Sequence, residues 1–104
     1  MLTVNCRETA AWLPLVLAAL RYDGAAVVAG VLSRDAVEAT RERMYAARRA
    51  IVADVGEDRL RRAGEVGVLR LMLKYDRHFF SLLELPEVLQ VVDGTVSDTA
   101  VRQL

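Results

Sequence analysis

Asp76-Arg77-His78 is the one place in this sequence where a carboxylate and an imidazole stand close together. A non-haem iron site of the two-histidine, one-carboxylate kind uses both residue types, but it needs a second histidine, and His78 is the only one. On a helix, residues two apart do not share a face, so even this pair diverges. A surface or helix-capping role is therefore expected for His78, and no metal ligand is assigned. Arg48, Arg49, Arg59, Arg61 and Arg62 have the composition of a phosphate-binding patch, but Glu57, Asp58 and Glu65 are interleaved on the same loop. A solvated face is the expected reading. Arg70 stands inside the apolar run VLRLML, where a charge must be paired, sit at an edge or face a polar cavity. A structural salt bridge is favoured there over a pocket role.

Other chemistries are missing their parts. Gly64 and Gly67 lack the following lysine and the strand-loop-helix context of a phosphate-binding loop. A serine nucleophile would have only His78 as its base. Cys6, near a terminus expected to fray, has only Arg7 nearby to lower its pKa, and an inert thiol is expected. As the single cysteine it cannot form an internal disulfide, which fits a reducing cytoplasm.

The elements that would position these residues follow from composition and periodicity. The 104 residues carry 54% apolar and 27% charged residues, with 14 basic and 14 acidic. A single domain or part of one, spanning 1–104, is expected, without the electrostatic footprint of a nucleic-acid or membrane-surface binder. The run AAWLPLVLAAL at 10–20 is too short to span a bilayer, which needs about 20 apolar residues, and lacks the basic leader and clean cleavage site of a secretion signal.

Leu13, Val16, Leu17 and Leu20 recur at helical spacing, which predicts a helix over 8–22, beginning near Ala11 if Pro14 is to sit in its first turns. Asp23-Gly24 stops it. Residues 25–29, AAVVA, read as a strand covered on both faces whose neighbours this stretch does not supply. Ser33 is placed to cap a long helix ending at Val55, with Val37, Thr40, Met44, Ala47, Ile51 and Val55 along one side. Residues 57–67 read as a loop or short helical turn, 68–73 as a strand or a helix start, and 76–85 as helical. Pro86 opens another helix closed by Gly94, and 99–104 reads as the start of a strand.

As a whole, a helix ending in YDG, the strand AAVVAG, VLSRDAV opening a long helix, and later LPEVLQVVDG resemble the N-terminal third of the phytanoyl-CoA dioxygenase family. The resemblance covers about Leu13 to Leu104 and rests on Gly24, Gly30, Leu32, Ser33, Val37, Pro86 and Val88. It implies an α+β, mainly helical portion of a double-stranded β-helix, or jelly roll, in an iron(II) and 2-oxoglutarate dependent oxygenase acting on a small molecule. In that family the His-x-Asp pair, the distal histidine and the 2-oxoglutarate arginine lie in strands that would follow Leu104. No catalytic residue is carried over, and the chain alone is expected to bind neither cofactor.

What the resemblance implies for these residues is support of the sheet, with 68–75 reaching the cavity rim and Arg70, Lys74 and Tyr75 as substrate-binding candidates. Two other readings stand beside it. One is a non-catalytic module that self-associates through the exposed edges of 25–29 and 99–104. The other is a small helical regulator or adaptor, which requires that 25–29 is not a strand.

Overall fold

In a computed structural model the described residues are 1–96, and the expected strand at 99–104 lies outside them. The chain is mainly helical with one small sheet, and it divides into two compact units. The first contains residues 1–33 and the chain from 83 onward, and the second contains residues 34–82.

In the first unit the neighbour that the valine-rich strand requires comes from the N-terminus. Strand β1 (Leu2–Asn5) pairs in parallel with β2 (Ala26–Ala29), in the register Leu2 to Ala26 through Asn5 to Ala29. The Cys6 amide donates to the Ala29 carbonyl at 2.9 Å and continues the ladder. This corrects the expectation of a frayed terminus, because the unsatisfied backbone of β2 and the β-propensity of Leu-Thr-Val act together.

Parallel strands need a crossover, and α1 (Trp12–Asp23) supplies it, packing on both strands. Its expected apolar face is the observed one, with Val16 at 2% exposure and Leu13, Leu17 and Leu20 half-buried. The helix begins at Trp12, beside the Ala11 start that Pro14 requires and four residues after Glu8, and residues 8–11 make turn contacts that start from the Asn5 carbonyl. Gly24 stops it in the left-handed conformation (φ 79°), donating to the carbonyls of Ala19 and Leu20.

Arg7 fastens this unit. Its Nε donates to the Gly30 carbonyl at 3.0 Å and its Nη2 to the Val31 carbonyl at 3.4 Å. The same Nη2 lies 2.9 Å from Glu87 Oε1, on helix α6 (Pro86–Asp93).

The second unit is built on α2 (Arg34–Val55). Thr40, Ala47 and Ile51 form its buried stripe, while Val37 and Met44, expected on the same side, are 47% and 40% exposed. Residues 57–67 contain a short helix, α3 (Glu57–Arg62), which buries Leu60. Residues 68–71 lie in no regular element, and α4 (Met72–Tyr75) and α5 (His78–Leu83) follow, the latter shorter than expected. Leu71, just before α4, takes the left-handed conformation (φ 56°), which is costly for a side-chain-bearing residue. No helix among the described residues is long and apolar enough to cross a membrane.

Gly30 tests the packing of the first unit. Its φ is 83°, and an added Cβ would lie 2.6 Å from Asn5 Oδ1, whereas one at Gly24 would meet nothing within 4 Å. Gly24→Ala is expected to cost about 1–2 kcal/mol, from backbone strain alone. Gly30→Ala is expected to cost clearly more, measured as a lower urea midpoint; equal losses would count against this packing.

Candidate functional site

The three candidates from the sequence lie within the second unit, on one short stretch. The structure brings two of them together and leaves the third apart. Lys74 Nζ lies 3.1 Å from Asp54 Oδ2, and the Tyr75 hydroxyl donates to the same oxygen at 2.9 Å. The ammonium also stands 5.2 Å from the centre of the Tyr75 ring. Arg70 turns to Glu65 instead, with Nε 3.0 Å from Oε1, and is 69% exposed, as its salt-bridge reading anticipated.

Asp54 sits in the last turn of α2, and the packing of α4 on α2 delivers both donors to it. The Tyr75 hydroxyl and then the Lys74 ammonium hold the Asp54 carboxyl below its ordinary pKa. In return, the carboxylate raises the pKa values of Lys74 and Tyr75. Lys74 therefore remains an ammonium and Tyr75 a phenol at neutral pH, both donating to the Asp54 carboxylate. All three side chains are solvated, and the pair adds little to stability.

A second cluster forms around Asp76. Its carboxylate accepts from the His78 amide at 2.9 Å and from Arg43 Nη1 at 3.0 and 3.2 Å. His78 Nε2 lies 2.8 Å from Thr40 Oγ1, its ring meets Phe79 edge-on at 5.7 Å, and its carbonyl accepts from Ser81 Oγ. His78 is thus a half-buried joint between α5 and α2 rather than a surface or capping residue, and Asp76 is the residue that caps. Its bonded partner Thr40 is a polar residue at a core-facing position of α2, which had to find a hydrogen bond. That signal was present in the helical periodicity. Nothing in the sequence marked Asp54 or Arg43 as partners across 20 and 33 residues.

These commitments bear on metal binding. The only imidazole bonds Thr40, the adjacent carboxylate bonds Arg43 and a backbone amide, and no three His, Cys, Asp or Glu residues among those described could share a metal ion.

The profile of the phytanoyl-CoA dioxygenase (PhyH) family matches residues 20–103. The chain belongs to that family. Uncharacterized proteins of Mycobacterium bovis and Mycobacterium tuberculosis are each 54% identical to it over 86 residues, 83% of this chain. The chain spans 32% of the length of those relatives. No solved structure matches it significantly. In this PhyH member the matched range begins within α1, so β1 precedes it and the Asp54 and Asp76 clusters fall inside it.

Asp76 gives the site a pH signature. The His78 amide first, and Arg43 second, lower its pKa from the ordinary 3.8, so its stabilisation is present above that value and is lost as pH falls through the lower folded value. Asp76→Asn is expected to have a lower urea midpoint than the parent at pH 7, with the gap closing by about pH 2. A gap of constant size across that range would contradict the assignment.

Proposed function

We propose that this chain is the N-terminal scaffold segment of an iron(II) and 2-oxoglutarate dependent oxygenase that hydroxylates a small molecule in the cytoplasm. In this reading the helices buttress a jelly roll, and the ligands for iron and 2-oxoglutarate come from strands outside residues 1–104. Arg70, Lys74 and Tyr75 lie at the rim of the substrate cavity, where the Lys74 ammonium keeps donors beyond the one it gives Asp54. Family membership and the 32% coverage of longer relatives support it.

The observation that carries the reading is apolar surface left open in the second unit. Met44, Val52, Val66, Val68, Leu71, Leu73 and Phe80 are each at least 37% exposed. Large exposed apolar residues gathered on a small unit mark a surface built to be covered.

In anaerobic titration the purified chain is expected to bind neither iron(II) nor 2-oxoglutarate stoichiometrically, while the longer mycobacterial relatives bind both. Turnover of 2-oxoglutarate by the chain itself, or no binding by the relatives, would refute the proposal. A second reading is self-association: among the described residues the sheet has two strands, and pairing with another chain would use an outer edge of one of them. It predicts a sedimentation coefficient that rises with concentration, and a sharp monomer boundary at all concentrations would exclude it.

A further inference from the structure

In the second unit Arg43 pairs with Asp76, Arg61 with Glu57 and Arg70 with Glu65, while most of its other arginines show no ion pair among the described residues. Arg41 and Arg48 on α2 make no such pair among the described residues. Seven residues apart, they stand close to two helical turns from each other and share one side of α2. Tyr45 lies between them, half exposed, with the Arg41 guanidinium 5.9 Å from the centre of its ring. These three side chains, with Met44, Gly67 and Leu69, line a cleft of about 220 Å³ within the second unit.

We propose that this cleft binds a small organic phosphate, with the phosphoryl group held between Arg41 and Arg48 and its organic part against Tyr45, Met44 and Leu69. Two guanidiniums without carboxylate partners present forked donors that match phosphate oxygens, which a single ammonium cannot do. The ring and the two apolar side chains form a wall suited to an aromatic or aliphatic group and too apolar for inorganic phosphate alone. Glu38 and Glu42 lie on the same helix but neither pairs with these arginines. The neutral net charge restricts the site to a small ligand, since no extended basic surface surrounds it to follow a polyanion. The inference uses no residue of the Asp54 or Asp76 clusters, but it shares Met44 with the exposed apolar surface on which the proposed oxygenase role rests.

The test is a chemical-shift titration of the purified chain with phenyl phosphate, inorganic phosphate and phenol in parallel. Phenyl phosphate is expected to give saturable shifts centred on Tyr45, Gly67 and Leu69, with inorganic phosphate weaker and phenol inert. Arg41→Gln and Arg48→Gln should each weaken phenyl phosphate binding about tenfold, as expected for loss of one charge-assisted contact. Arg59→Gln, on α3 outside the cleft, should leave it unchanged, and Tyr45→Ala should weaken phenyl phosphate but not inorganic phosphate. Shifts that do not saturate by about 10 mM, weaker than any specific site, or equal losses in the Arg41, Arg48 and Arg59 variants, would overturn the proposal.

Discussion

The guanidinium of Arg7 ties together parts of the first unit that are far apart in sequence. It donates to the carbonyls of Gly30 and Val31, where the chain leaves β2, and pairs with Glu87 at the start of α6. A parallel strand pair cannot be closed by a tight turn, so β1 and β2 depend on a crossover and on contacts beyond their own ladder. The planar fork of arginine meets several acceptors at once, and the Glu87 carboxylate, only 13% exposed, would be poorly solvated without it. Asn5 closes the same corner, its side chain accepting from the Arg7 amide at 2.8 Å and leaving no room for a Cβ at Gly30.

Carboxylates have the matching role in the second unit. Asp54 gathers Lys74 and Tyr75, and Asp76 gathers Arg43 and the His78 amide, so the short helices α4 and α5 are held on α2 by polar contacts as much as by Ala47, Ile51, Leu60 and Phe79. The Asp54 contacts fix geometry more than they add stability, because Lys74 and Asp54 are largely solvated, whereas the Asp76 carboxylate is only 18% exposed. The side chains of the Asp54 and Asp76 clusters, the imidazole included, are already committed to partners within the unit. The imidazole joins two helices and the carboxylates orient cations, which suits a scaffold.

Where one residue class dominated, the sequence was legible. The apolar face of α1, the left-handed stop at Gly24, the strand at 26–29 and Pro86 at the first turn of α6 follow from periodicity and from the stereochemistry of glycine and proline. Strand β1 was missed because four residues at a terminus carry no period, and only the unmet need of β2 pointed to them. The helical pattern of α2 was right, yet it placed Val37 and Met44 inward when both are exposed, since periodicity defines a face and not what covers it. Candidate site residues were half legible: Lys74 and Tyr75 do converge, but on a carboxylate 20 residues away that no local motif announces.

The central claim is that the single histidine of this chain is a structural joint between α5 and α2. Nitrogen-resolved NMR of the His78 ring during titration with cobalt(II), a paramagnetic stand-in for iron(II), tests it most directly. The account predicts ring signals that stay hydrogen-bonded to Thr40 and show no localised paramagnetic shift. A saturable shift centred on His78 and Asp76, with loss of the Thr40 bond, would contradict it.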